Sequence, residues 1–371
     1  MTEEKEIYEH PLYKYCKNEK EADAIAWAFV NSKKMVRFPF KFPALGPNKI
    51  RANVLYAGLC HSDCMTVRSL WGPAPYPIAL GHEMVCEVSQ IGSEVKDFKK
   101  GDLVGFGAQR DCCDKWKWCL RGEEEVCPNV QERGTYGKYW GGYSKAVQQP
   151  VKFFFHLPKN FDLKRGPPHF CAGITTFYPM KKFLKEGMNT AVVGVGVGGL
   201  GHLAIQFLHK LGHKVTAFTT SEDKIPLIKK LGGDEAIISK DPAQMKAAQG
   251  KFDFVINTLP TFKNVDNYIN TVALCGYYVQ VGAGPVTEAN VTFNIFNVIM
   301  KEVKVVGSLV GPRKIINDMV KLCGEKDIYP MIEEFSFEDF PKAYDKLENG
   351  RPKFRCVVNV KDFAEKNGFK K

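Results

Sequence analysis

Two rhythms of apolar and polar positions divide the chain. In the first half, short β-type runs such as Lys49 to Tyr56, Met84 to Ile91 and Leu103 to Phe106 are interrupted by Gly72-Pro73 and Gly101-Asp102. Runs of this length between Gly and Pro turn signals predict a β-rich domain with long loops. From about Gly187 the pattern changes. Strand-like segments at Thr190 to Val195, Lys214 to Thr219, Ala236 to Ile238, Phe252 to Asn257, Tyr277 to Val281 and Glu302 to Val306 alternate with helical ones, among them the apolar stretch ending at Leu211 and Ile225 to Leu231. Alternation of strand and helix predicts βαβ crossovers and a doubly wound parallel sheet. Helices at Lys314 to Cys323 and Phe337 to Leu347 and a closing strand at Arg355 to Val360 add no further βαβ unit, so this tail is expected to rejoin the first domain.

Composition narrows the class. With 371 residues, 44% hydrophobic and 25% charged, the chain fits about two globular domains at roughly 150 residues each. No run approaches the ~18 apolar residues of a membrane helix, and Met1 to His10 has no signal-like apolar core, so a cytoplasmic protein without a membrane partner is expected. Lysine and arginine exceed aspartate and glutamate, 52 against 41, a net charge of +11. The excess is dispersed and no basic helix or RNA-binding signature accompanies it, so no nucleic-acid partner is expected.

The twelve cysteines change the picture more. In a chain this long without a secretory signal they point to metal or catalysis rather than to a disulfide framework. Cys112, Cys113, Cys119 and Cys127 fall within sixteen residues. Elsewhere Cys60-His61-Ser62-Asp63 closes a strand-like run, Gly81-His82-Glu83 opens another, and Cys171 precedes a helical stretch. Cys60, His82 and Cys171 are a donor set of the kind catalytic zinc uses, three N or S ligands and one open position, with Glu83 as an alternative ligand.

A nucleotide signature lies in the second half. Gly196-Val197-Gly198-Gly199-Leu200-Gly201 follows an apolar strand and opens a helix. There Gly196 permits the tight turn, Gly198 lets backbone approach a pyrophosphate and Gly201 allows close helix packing. At the end of the next strand stand Thr219, Thr220, Ser221 and Lys224, where NAD-binding folds carry a carboxylate. Three hydroxyls and an ammonium suit a 2′-phosphate and hence NADP(H), with an ordinary polar turn as the alternative reading. Glu222 and Asp223 stand close by.

Together Gly58 to Asp63, Gly81-His82-Glu83, Cys171 to Thr176 and Gly198 to His202 resemble the zinc-dependent medium-chain alcohol dehydrogenases, in particular the NADP-dependent cinnamyl alcohol dehydrogenase-like branch. The resemblance runs from about Ala26 to Val360. It implies an α/β chain with a β-rich GroES-like catalytic domain, residues 1–167 and 315–371, and an inserted Rossmann domain, residues 168–314. It also implies a homodimer pairing edge strands near Val291 to Val310, and a small alcohol or aldehyde substrate. By the same matching Cys60, His82 and Cys171 bind the catalytic zinc and Glu83 exchanges with water there. Ser62 passes the alcohol proton, Asp63 orients the ligand histidine, and His61, Thr175, Thr258, Gly282, Ser308, Leu309 and Val310 lie along the cofactor.

Three departures qualify the resemblance. The family's second zinc takes four cysteines, whereas here Cys113, Cys119 and Cys127 match and Trp116 occupies the remaining place. Either Cys112 or Asp114 completes a structural zinc site after a backbone shift, or the lobe has no metal and rests on Trp116 and Trp118. Met65 stands where many relatives carry the histidine that ends the proton relay. Glu132 lies near the place of a pocket tryptophan in the lignin enzymes, so the cinnamyl preference is open and a medium-size or aromatic aldehyde is expected, with Trp71 and Phe296 as either pocket walls or core aromatics. An alternative chemistry on the same scaffold is NADPH-dependent reduction of an activated C=C or iminium bond.

Overall fold

The computed structural model describes residues 8–129, 139–194, 198–350 and 352–366. They form two compact units, one of Met1–Cys171, Pro312–Gly324 and Met331–Lys371, the other of Ala172–Gly311 and Glu325–Pro330.

The first unit is built on a seven-stranded sheet. Ile332–Ser336, Arg355–Asn359, Lys49–Gly58, Met84–Ile91, Leu103–Phe106 and Phe154–His156 follow one another across it, with Ala146–Pro150 also paired to Lys49–Gly58. Pairing is antiparallel except between Ile332–Ser336 and Arg355–Asn359. The C-terminal strand Arg355–Asn359 thus pairs with Lys49–Gly58. Its partner Lys49–Gly58 changes register after Arg51 and again after Val54, and it delivers the chain to Cys60. A smaller sheet of Lys14–Tyr15, Met35–Lys41 and Ala24–Phe29 packs Tyr13, Phe38 and Phe40 against Trp140.

One contact fixes where Cys171 sits. A Cβ on Gly105 would lie 1.7 Å from Phe170 Cζ, so the ring occupies the space over the strand that only glycine leaves open. Phe170 ends the short helix Pro167–Phe170, one residue before Cys171.

The second unit is a six-stranded, all-parallel sheet in the spatial order Glu235–Ile238, Val215–Thr219, Thr190–Val193, Phe252–Asn257, Val272–Gln280, Lys304–Gly307. Numbered along the chain this is 3-2-1-4-5-6, the Rossmann order, whose topological switch point lies beside the first strand. Thr190–Val193 and Val215–Thr219 are buried throughout, which is how a sheet covered on both faces keeps water from its backbone. The predicted strand at Tyr277 begins earlier, at Val272, because Val272 is buried; the strand then kinks at Cys275, where φ is +59°. No helix among the described residues is long and apolar enough to cross a membrane.

Replacing Gly105 with Ala is expected to destabilise the first unit by about 1–3 kcal/mol through overpacking against Phe170. Thermal unfolding of Gly105→Ala checks this by a lower Tm.

Candidate active site

The site grows from one buried carboxylate. Cys60 precedes the short helix His61–Val67, and Asp63, in its first turn, reaches back so that Oδ2 accepts from the Cys60 N–H at 3.3 Å. The same oxygen accepts from the Tyr143 hydroxyl at 2.5 Å. Oδ1 accepts from the Gly81 N–H at 3.4 Å and lies 3.0 Å from His82 Nδ1. Asp63 and His82 are fully buried. Gly81 is a position where glycine is required, since φ is +92° and a Cβ would lie 2.7 Å from the Tyr143 ring. The buried Arg110 braces the same turn, donating to Gly81 O at 2.8 Å.

Around this anchor the ligand atoms of Cys60, His82, Glu83 and Cys171 lie within 4.8 Å of one another, with Cys60, His82 and Glu83 buried and Cys171 half-buried. The Cys60 and Cys171 sulfurs are 3.8 Å apart. Two thiolates at ~2.3 Å from a tetrahedral zinc stand about 3.8 Å apart, so the spacing suits that ion. The hydrogen bond from Cys171 holds the Cys60 thiol well below its ordinary range against burial, and the same hydrogen bond, with burial and the Cys60 charge, pushes Cys171 up. Burial opposes charge on His82, but Asp63 and Cys60 together raise it well above its usual value. A cation at the centre would meet a cysteine thiolate and a buried acid already in place.

Glu83 completes the group. Oε1 pairs with the buried Arg355, while Oε2 is buried without a hydrogen-bond partner. That oxygen sits over the strand at Gly58, where a Cβ would approach it to 2.2 Å. Burial pushes the Glu83 carboxyl up to about 7 although Arg355 pulls the other way. An unpartnered buried oxygen beside two cysteines and a histidine fits a metal ion. Ser62 is half-buried with Oγ 3.4 Å from Cys60 Sγ, His61 is exposed, and Met65 is buried. Tyr143 and Arg355 escaped sequence reasoning, since neither belongs to a local motif.

The second cysteine group differs from expectation. Cys113, Cys119 and Cys127 come together, with Cys113 3.7 Å from Cys119 and 3.5 Å from Cys127. Cys112 does not join them, and neither does Asp114. Cys112 Sγ lies 3.1 Å from Asp114 Oδ1 and accepts from Lys152 Nζ at 3.0 Å, because the Lys152 ammonium draws both side chains to itself. In this structure three sulfurs stand together, and Cys112 and Asp114 lie outside the group. Trp116 is 52% exposed.

In the second unit Gly196 lies outside the described residues, as does Glu132 in the first. Gly194 ends the first strand with φ +92°. A Cβ on Gly198 would meet nothing nearer than 3.8 Å, leaving its backbone open, whereas one on Gly201 would come within 2.8 Å of Gly194 O. Gly199 and Leu200 form the turn into the helix Gly201–Lys210. Thr219 is buried at its strand's end, Thr220 is exposed, Ser221 is half-buried, and Lys224 Nζ lies 3.4 Å from Thr220 Oγ1. Glu222 and Asp223 are exposed. Thr258 donates to Val193 O at 2.7 Å, and Gly282 packs so closely that a Cβ would reach 2.0 Å from Leu259 O. Thr175 is buried in the helix Ala172–Phe183. Ser308 Oγ is buried without a hydrogen-bond partner, Leu309 is exposed, and Val310 has φ +37°. Trp71 is half-buried in the first unit; Phe296 is 65% exposed in the second.

Residues 46–159 match the alcohol dehydrogenase GroES-like domain family and residues 199–325 the zinc-binding dehydrogenase family. The chain is 36% identical over 324 residues to aldehyde reductase AdhA of Synechocystis, covering 86% of this chain and 94% of that one. It is 34% identical to cinnamyl alcohol dehydrogenase 2 of Rauvolfia serpentina over 91% of this chain and 95% of that one. The crystal structure of CAD from Helicobacter pylori complexed with NADP(H) superimposes with a TM-score of 0.83 at 31% identity, covering 91% of this chain and 98% of that one.

Asp63→Asn is expected to weaken metal retention 10–100-fold, because the histidine loses its charged partner. Tyr143→Phe removes only one of four donors and should cost less. Chelator competition on the two variants checks the order.

Proposed function

Because the chain belongs to the zinc-dependent medium-chain alcohol dehydrogenases, of the cinnamyl alcohol dehydrogenase-like type, we propose that it interconverts a medium-size or aromatic aldehyde and its alcohol with NADP(H). Zinc would be held by Cys60, His82 and Cys171. The zinc-containing catalytic domain would comprise residues 1–167 and 315–371 and the cofactor domain residues 168–314. The observation that carries the reading is the convergence of the Cys60, His82, Glu83 and Cys171 ligand atoms within 4.8 Å.

When bound, zinc supplies Lewis acidity at the carbonyl oxygen and the nicotinamide supplies or accepts the hydride. The chain's own residues do the rest. Asp63 holds Nδ1 of His82 and so leaves Nε2 as the donor atom. Glu83 Oε2 offers a further oxygen that can alternate with water. Ser62 Oγ gives a proton to the product alkoxide in reduction and takes the alcohol proton in oxidation. A thioether carries no proton, so Met65 ends the relay there and Ser62, with the cofactor ribose, exchanges its proton with water. Thr219, Thr220, Ser221 and Lys224 would bind the 2′-phosphate, the ammonium supplying charge-assisted hydrogen bonds. Retention of Ser62 with all three ligands favours carbonyl chemistry over C=C or iminium reduction.

We further assign the protein to the cytoplasm as a homodimer. Supporting the first, every cysteine among the described residues is a free thiol. Supporting the second, Ile295, Phe296, Ile299 and Met300 of the helix Ile295–Lys301 are each 58–67% exposed beside the edge strand Lys304–Gly307.

A panel of aldehydes and enones followed at the reduced-nicotinamide absorbance tests the activity. NADPH with aromatic aldehydes should give the fastest turnover, NADH much slower, and chelation should abolish it; preference for enones or NADH would overturn the reading. Alcohol oxidation should rise with buffer concentration at fixed pH, the signature of a relay that ends at Ser62. Ile299→Glu should convert the dimer to monomer in light-scattering measurements.

A further inference from the structure

The lobe carrying Cys113, Cys119 and Cys127 has sulfur spacings of 3.5 and 3.7 Å, close to the ~3.8 Å expected for thiolates sharing one tetrahedral ion. Three sulfurs leave one vertex. Among the described residues Trp116 offers no ligand atom there, the flanking candidates Cys112 and Asp114 are occupied elsewhere, and no further ligand group joins the three sulfurs.

What occupies them is Lys152. Its ammonium donates to Cys112 Sγ at 3.0 Å and forms an ion pair with Asp114, whose backbone takes the left-handed φ of +51°. Lys152 is itself fixed. Its carbonyl accepts from Arg313 Nη1 at 3.1 Å, Arg313 Nε binds the buried Glu124 at 2.7 Å, and Glu124 lies 3.9 Å from Lys152 Nζ. The clamp therefore spans three segments distant in sequence, and all of them belong to the first unit.

We propose that this lobe binds one divalent d¹⁰ ion through Cys113, Cys119 and Cys127 alone, and that Lys152, by holding Cys112 and Asp114, keeps the fourth vertex open to water or a small monodentate donor such as an imidazole. Closed structural zinc sites have four protein ligands. An open vertex makes this one exchangeable and accessible to added ligands. Cys112 is then a ligand in reserve, released to the metal when the lysine is removed.

Cadmium-113 NMR of the full-length protein loaded with cadmium tests this, since each thiolate ligand moves the resonance further downfield. Two resonances are expected, one from the Cys60, His82 and Cys171 site and one in the three-thiolate range that Cys113→Ser abolishes. Imidazole should shift the second. In Lys152→Met that resonance should move to the four-thiolate range, stop responding to imidazole and lose its metal to chelator at least tenfold more slowly. Cys112→Ser, which keeps Lys152, should leave the wild-type resonance where it is. A wild-type lobe resonance already in the four-thiolate range, a shift in Cys112→Ser, or no cadmium in the lobe would overturn the proposal. A folded Lys152→Met protein with unchanged lobe shift and exchange would overturn the part assigned to Lys152.

Discussion

The burial of Asp63 is the constraint on which the first unit's site depends. A carboxylate taken wholly out of water costs several kcal/mol unless donors surround it, and here four do: the N–H groups of Cys60 and Gly81, the His82 ring and the Tyr143 hydroxyl. These donors come from three stretches of chain separated by some twenty and sixty residues. Satisfying one charge therefore sets the direction of Cys60, the tautomer of His82 and the approach of the 140s loop at once. Cys171 is fixed independently, by the Phe170 ring over Gly105. Two unrelated packing solutions deliver the sulfurs to 3.8 Å from each other.

The neighbouring charges follow the same logic. Glu83 is buried against Arg355 and keeps one oxygen unpartnered, an arrangement that costs stability in the absence of a cation and is relieved by one. Residues that give up stability locally while their surroundings stay well packed are what functional sites show. The second unit has its own version: open backbone at Gly198 and tight packing at Gly201, so the turn is shaped for something to approach it while the helix is pulled onto the sheet.

Much of this was legible in the sequence, and for physical reasons. The parallel sheet could be read because its central strands Thr190–Val193, Val215–Thr219 and Phe252–Asn257 are almost wholly buried and appear as apolar runs between helices. Cys60, His82 and Cys171 read as a possible zinc donor set by residue type, and the resemblance of the motifs around them to the zinc-dependent alcohol dehydrogenases singled them out. What stayed hidden depends on contacts between distant segments. Tyr143 and Arg355 look like ordinary core and strand residues until the fold brings them to Asp63 and Glu83. Lys152 is one lysine among many, yet the fold brings it to both Cys112 and Asp114. The start of the strand at Val272 was missed because exposed Leu274 and the kink at Cys275 break the alternation.

The central claim is that this chain moves a hydride between an alcohol carbon and NADP. The most direct measurement is isotopic: the zinc-loaded protein is given NADP⁺ and an aromatic alcohol dideuterated at the carbinol carbon, and the reduced cofactor is weighed by mass spectrometry. The account predicts NADPH carrying one deuterium, formed together with monodeuterated aldehyde in equal amount. Reduced cofactor without deuterium, or deuterium lost to solvent, would contradict it.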